Sequence, residues 1–327
     1  MRKSFPAAEV ELATGAAPVA WREVASGGYA SNTNRWRVEL AGGRAVFVKL
    51  ALDELAAGWL RDEHRLYSAL EAPFLADFVA WRDDRVTFLA LEDLSGAHWP
   101  PPWREGEIDA VVATLRSVAK TPPPPGLPAL EELRERLNGW ELVGADPAPL
   151  LSTGLCSRAW LDASLPALRE SAAACDLSGD SLVHLDVRSD NLCFRDGGAV
   201  LVDWNHACVG NPLVDLVAWL PSLRLEGGPE PWELVPDSCG LSALVAGYFA
   251  SRAGLPTPPT APRVRPFQRA QAAVALAWAV RELGLEPILA AWSVRPVRRT
   301  SGSSATCFAT PTSGGSTRAP SSRSRGT

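Results

Sequence analysis

Lysine is nearly missing from this sequence: 327 residues contain only Lys3, Lys49 and Lys120, against 29 arginines. A lysine inside an apolar strand is therefore conspicuous. The six cysteines (Cys156, Cys175, Cys193, Cys208, Cys239 and Cys307) form no C-x-x-C, and no histidine stands at zinc-ligand spacing from them. That excludes a structural zinc module and a disulfide framework and points to unpaired intracellular thiols. Long apolar runs are missing too: the longest, such as Ala272 to Val280, fall short of the roughly 20 residues a membrane span requires. The start, Met-Arg-Lys-Ser-Phe-Pro, leads into no signal-like apolar segment, so the expected location is cytoplasmic, with no membrane partner. Nor is there an excess of positive charge. The net charge is −5, and the last 35 residues hold six arginines and no Asp or Glu, leaving −11 over residues 1–292. Such a body excludes nucleic acid as the expected partner and is compatible with a cationic small molecule.

What is present is ordinary for a folded protein, 46% hydrophobic and 21% charged, with length for one large core or two modest ones. Residues 1–92 read as strands around one helix. Trp36 to Leu40, a turn at Gly42-Gly43, and Ala45 to Leu50 have the pattern of a hairpin. From Asp53, placed as an N-cap, to Leu70 the period becomes helical, with Leu55, Trp59, Leu66 and Leu70 on one stripe. Val86 to Leu91 is a further strand, and Glu92-Asp93-Leu94-Ser95-Gly96 leads out of the sheet. Residues 93–292 are mainly helical, interrupted by prolines at 100–102 and 122–125 and by a β island from Leu182 to Trp204. The fold class is therefore α+β in two lobes: a small β-rich lobe over 1–92 and a larger α-rich one over 93–292. Residues 293–327, rich in Ser, Thr, Arg and Gly, cannot bury enough apolar surface to fold and read as a disordered tail. Its abrupt onset is also what an out-of-frame or artificial terminus looks like.

The β island carries the chemistry. Asn191 to Arg195 and Ala199 to Asp203 flank Asp196-Gly197-Gly198, read as a three-residue hairpin loop. Pairing symmetric about Gly197 sets Asn191 opposite Asp203, with Cβ atoms about 4.5–5.5 Å apart. An amide oxygen and a carboxylate so placed suit Mg²⁺, which takes few protein ligands and fills its shell with water and phosphate oxygens. Five residues before Asn191, Asp186 ends the strand Leu182-Val183-His184-Leu185, where a carboxylate can accept a proton from a substrate hydroxyl. The order H-x-D-x-x-x-x-N followed by D is that of base, metal ligand and metal ligand in kinase centres. His184 reads as an ordering residue of this loop.

The small lobe offers matching parts. Alternation puts Lys49 on the face of Phe47, and a buried ammonium there needs a partner. Glu63 interrupts the apolar stripe of the helix and supplies one, so that the pair would set Lys49 against the α- and β-phosphates of ATP. Ahead of the hairpin, the stretch from Ser26 through Ser31 and Asn32 stands where a nucleotide-covering turn would. Taken alone it is an ordinary loop without G-x-G-x-x-G. No G-x-x-x-x-G-K-[ST] occurs anywhere, which excludes a P-loop kinase.

These residues resemble the aminoglycoside phosphotransferase and choline-kinase-like family, which has the bilobal protein-kinase-like fold. The likeness runs from about Trp21 to Trp292, strongest over Leu182 to Leu192, Val202-Asp203-Trp204 and Gly210 to Leu216. The resemblance implies ATP and Mg²⁺ as cofactors, Asp186 as base, Asn191 and Asp203 as metal ligands, and Asp215 as a buried brace of the catalytic loop. It also implies a hinge at Leu89 to Leu94, where backbone groups of Leu91 and Asp93 would hold adenine and their side chains would be dispensable. Arg188-Ser189-Asp190 departs from the family's His-Pro-Gly-like stretch, which leaves Arg188 as a substrate-side candidate.

Only eleven residues separate Asp203 from Asp215, with no Ala-Pro-Glu; a peptide-docking activation segment does not fit there. The expected acceptor is a small molecule, an aminoglycoside or related antibiotic first, with antibiotic resistance as the consequence. Glu226, Glu230, Glu233 and Asp237 could form a wall for ammonium groups, or simply a solvated acidic loop. A metabolite kinase acting on choline, homoserine, a sugar or methylthioribose would share every catalytic feature, and a nucleotide-binding pseudokinase is the third alternative.

Overall fold

The computed structural model describes residues 5–25, 32–259 and 261–288. Most of the expected nucleotide-covering turn, Ser31 included, and the tail 293–327 lie outside them. Helix α1 (Ala7–Thr14) precedes an antiparallel sheet of β1 (Pro18–Glu23), β2 (Thr33–Leu40), β3 (Ala45–Ala51), β4 (Phe78–Asp83) and β5 (Thr87–Glu92), in the order β1-β2-β3-β5-β4. Strand alternation makes the sheet two-faced. Trp36, Val38, Leu40, Val46, Val48 and Leu50 share a core with Val10 of α1, while Arg35, Arg37, Phe47 and Lys49 alternate onto the opposite face.

Helix α2 (Glu54–Ala69) connects β3 to β4 and packs on both β3 and β5. Its N-cap is Asp53, whose carboxylate accepts the Ala56 N–H at 2.9 Å. The buried side is Ala56, Ala57, Leu60, Glu63, Leu66 and Tyr67, which corrects the expected stripe. Leu55 is 59% exposed, because burying Ala56 and Ala57 in the first turn rotates the preceding position outward, about 100° per residue.

The larger part holds α3 (Glu107–Lys120), α4 (Arg158–Ala174), α5 (Leu213–Leu225), α6 (Leu241–Ala253) and α7 (Val264–Glu282), with short helical turns between. Helix α6 is enclosed by α4, α5 and α7. It admits Trp140 because position 247 is glycine: a Cβ there would sit 2.6 Å from the indole, whose Nε1 donates to Ala243 O at 2.7 Å. Two ribbons pack on α3: β6 (Ser181–Val183) with β9 (Cys208–Gly210), and β7 (Leu192–Arg195) with β8 (Gly198–Leu201). Among the described residues no helix is long and apolar enough to cross a membrane. The described cysteines are free, and all but Cys239 are buried.

Candidate active site

Strand β6 runs into a backbone reversal at Leu185, where φ is 64°, a left-handed conformation that costs a non-glycine residue about 1–3 kcal/mol. Asp215, at the first turn of α5, holds the reversal by accepting the His184 N–H at 2.8 Å and the Leu185 N–H at 2.7 Å. Burial lifts its carboxyl to about 6, against the pull of those two donors. His184 is fully enclosed. Its Nε2–H donates to Val202 O at 2.9 Å, its Nδ1 accepts the Asp186 N–H at 3.2 Å, and its ring lies 4.4 Å from that of Trp204. Burial lowers its pKa to about 4, so the imidazole is neutral, with both nitrogens committed to holding the loop.

Asp186 follows. Asn191 donates through Nδ2 to Asp186 Oδ2 at 2.8 Å and to Asp186 O at 2.9 Å, which turns the amide oxygen away from Asp186. Arg188 lies between two carboxylates, its Nε 3.4 Å from Asp186 Oδ1 and 3.2 Å from Asp190 Oδ1.

The hairpin register differs from the expected one by a residue. Arg195 pairs with Gly198 and Leu192 with Leu201, so the turn is the two-residue Asp196-Gly197, with φ of 52° and 81°. Two positive φ values in an Asp-Gly pair match the strand twist better than a three-residue loop does. Asn191 therefore faces Val202, whose N–H it accepts at 2.9 Å, and Asp203 lies one step beyond the ladder, itself at φ 65°. The left-handed bend at Asp203, rather than direct cross-strand opposition, sets its carboxylate at the cleft.

There it meets the sheet. Lys49 Nζ donates to Glu63 at 2.7 and 2.9 Å and also contacts Asp203 Oδ1. Lys49 and Glu63 are each 3% exposed. Burial works against the ammonium, but Asp203 and Glu63 more than offset it and raise its pKa. Burial likewise works against the Asp203 carboxylate, yet Lys49, Arg35 and Arg188 hold it below the usual range and therefore ionised. Burial pulls Glu63 upward, opposed by Lys49. An ionised carboxylate beside an oriented amide oxygen is a hard-oxygen pair of the kind Mg²⁺ accepts, and the residues present fit that ion.

Other expected residues fall elsewhere. Asn32 donates to Asp53 at 2.9 Å and so braces the α2 cap. Leu91 is buried in β5. The Asp93 side chain is not dispensable to the structure: it accepts Arg37 Nε at 2.5 Å, the Ser95 N–H at 3.0 Å and Ser95 Oγ–H at 2.9 Å, tying β2 to the connecting segment. The acidic wall is not assembled. Glu230 pairs with Arg224 at 2.8 Å and forms a capping box with Glu233, and Asp237 accepts the Cys239 N–H at 2.9 Å. Short helices and turns consume these carboxylates because unpaired backbone N–H groups nearby need acceptors.

Glu226, also placed in that wall, instead lies against the loop between Asp186 and Asn191. It accepts Ser189 Oγ–H at 2.5 Å and Trp103 Nε1–H at 3.0 Å, and burial pushes its carboxyl up to about 7. A cavity of about 1070 Å³ opens beside the segment 92–99 and the tip of the β7–β8 hairpin. Its lining includes Asp93 but neither Lys49 nor Asp186, so it is separate from this cluster.

Residues 21–234 match the phosphotransferase enzyme family. A search of curated proteins finds no match. Among solved structures the chain is similar to a thermostable mutant of aminoglycoside phosphotransferase APH(4)-Ia in ternary complex with AMP-PNP and hygromycin B, at 15% identity and TM-score 0.53, covering 85% of this chain and 97% of that one. It is also similar to the amicoumacin kinase hAmiN in complex with AMP-PNP, Ca²⁺ and Ami, at 12% identity and TM-score 0.50, covering 82% and 91%. At such identities the likeness is one of fold, and the fold is the α+β, kinase-like one expected from the sequence.

Proposed function

The chain belongs to the phosphotransferase enzyme family, and from that premise we propose that it transfers the γ-phosphoryl group of ATP to a hydroxyl of a small molecule, in a cleft between a lobe ending near Glu92 and a lobe running from Asp93. The observation that carries this reading is the contact of Lys49 with both Glu63 of α2 and Asp203 beyond β8. A buried cation is thereby held where a nucleotide's phosphates would face the carboxylate of Asp186. Asp186 is oriented by Asn191 at Oδ2 and by Arg188 near Oδ1, and its carboxylate takes the acceptor's proton. Lys49, steadied by Glu63, binds the α- and β-phosphates, and Asn191 with Asp203 would hold Mg²⁺, which when bound neutralises charge on the phosphates. His184 and Asp215 keep the loop in shape.

We assign the acceptor to hydroxylated, amine-bearing antibiotics, aminoglycosides first. Supporting this are the net charge of −11 over residues 1–292 and the hygromycin B and amicoumacin bound by proteins of similar fold. One observation favours a metabolite kinase instead: Glu230, Glu233 and Asp237 are spent on caps and turns. Magnesium-dependent ATP turnover with an aminoglycoside panel and a panel of choline, homoserine, sugars and methylthioribose separates the two. Asp186→Ala should lower turnover by about 10²–10⁴-fold while ATP affinity stays within twofold, whereas Asp203→Ala should weaken Mg-ATP binding as well. Equal losses of ATP affinity in both variants would refute this division of roles.

A further inference from the structure

Strand β2 carries a second cation onto the cleft side of the sheet. Arg35 pairs directly with Lys49 in the β2–β3 ladder, and residues so opposed have Cβ atoms about 4.5–5.5 Å apart. Its neighbours on the same face locate it. Arg37, two residues on, reaches Asp93 at the connecting segment, while Lys49 reaches Asp203 at the catalytic end. Arg35 therefore stands on the roof of the cleft, beside the Lys49–Asp203 contact. Arg37 is tied to Glu39 and Asp93; among the described residues the Arg35 guanidinium makes no hydrogen bond or ion pair.

Like charges directly opposed on neighbouring strands destabilise a sheet, and the field of Arg35 does work against the ammonium of Lys49. The same field favours the ionised forms of Glu63 and Asp203. A half-buried arginine placed against a buried lysine serves no folding purpose that an apolar strand residue would not serve better. It is useful when an anion of more than one charge enters between them. In a body of net charge −11, a polyphosphate needs such a local concentration of cations to overcome the overall repulsion.

We propose that Arg35 is a second phosphate-binding cation of the nucleotide site, gripping the polyphosphate together with Lys49 from the adjacent strand. The proposal rests on the nucleotide-dependent reading above. It makes binding depend on the phosphates and not on the nucleoside.

The test is titration calorimetry of the full chain with Mg-ATP, Mg-ADP, AMP and adenosine, for the wild type, Arg35→Ala and Arg35→Lys, with the unliganded thermal midpoint of each recorded. Arg35→Ala should weaken ATP and ADP by about 10- to 100-fold, the effect of removing one charge-assisted contact, and leave adenosine within twofold. Arg35→Lys should recover part of the loss. An unchanged ATP affinity in Arg35→Ala, or an equal loss for adenosine, would overturn the assignment of Arg35 while leaving the nucleotide site standing. A wild type that binds none of the four ligands would overturn that site and this assignment together.

Discussion

Replacing Lys49 by methionine leaves the Glu63 carboxylate buried without its partner, and the cost of that can be bounded. An abandoned carboxylate relieves itself by taking up a proton, which costs about 1.4 kcal/mol for each pH unit above its ordinary value. With that value at 4.5, the penalty is at most about 3 kcal/mol at pH 7 and under about 1 kcal/mol at pH 5. The sign follows from linkage: the folded pKa in the variant is raised, so the variant's stability is intact below 4.5 and is lost as pH climbs. Asp203, whose side chain is 29% exposed, can turn to water and adds little. For a chain of this size, with an unfolding entropy of about 2 cal/mol/K per residue, the loss at pH 7 corresponds to a drop of roughly 4–5 °C in thermal midpoint. Differential scanning calorimetry of the wild type and Lys49→Met at both pH values measures it, and Lys49→Met/Glu63→Leu should restore most of the stability by removing the stranded charge. A deficit of equal size at pH 5 and pH 7 would refute the argument, because lost packing is indifferent to pH in that range.

Asp215→Ala removes the acceptor of two buried N–H groups at His184 and Leu185; at about 1–3 kcal/mol per stranded donor, urea unfolding should show a loss of at least about 2 kcal/mol, with Asp215→Asn recovering part. A loss under about 0.5 kcal/mol would mean the loop does not depend on this brace. Gly210→Ala brings a Cβ within 2.5 Å of Leu130 Cβ and 2.6 Å of Leu177 O, an overpacking that should cost about 1–3 kcal/mol in the same assay. Glu226, with its folded pKa raised to about 7 from 4.5, contributes stability that is complete below 4.5 and disappears as pH rises through 7. Thermal midpoints from pH 5 to 7.5 should therefore fall more steeply in the wild type than in Glu226→Gln, and parallel curves would show that this carboxyl does not titrate there.

Which parts of this site could be read in the sequence follows from how far each contact reaches along the chain. Asp186 and Asn191 lie on one loop, and their hydrogen bonds join residues whose spacing is itself the signal. Lys49 and Glu63 are separated by one strand end and three helical turns, and two periodicities, of 2 and 3.6, suffice to bring them together. The same periodicity misplaced the apolar stripe of α2, because leucines outrank alanines in a hydrophobicity count although alanines can approach a sheet more closely. The β7–β8 register slipped because three turn-forming residues, Asp196-Gly197-Gly198, admit two loop lengths. Conformation decides between them, since Asp and Gly both tolerate positive φ.

The place of Arg35 is legible from the symmetry of its hairpin. With Gly42 as the centre of its turn, Lys49 has Arg35 as its partner, which is the observed register. Glu226 was not legible. Nothing in a run of Glu, Gly and Pro says that its first carboxylate turns inward to meet Ser189 and Trp103 while Glu230 and Glu233 turn back on their own helix. Those partners come from elements 37 and 123 residues away, positioned by the packing of α5, and no local pattern encodes them. A pocket for the proposed acceptor would be of this second kind, since Glu230, Glu233 and Asp237, the candidates the chain offers for it, are spent on caps and turns. The first kind, built from registers and short loops, covers Lys49 with Glu63 and Asp186 with Asn191. For this reason the sequence speaks plainly about phosphoryl transfer and leaves the acceptor to be found by binding.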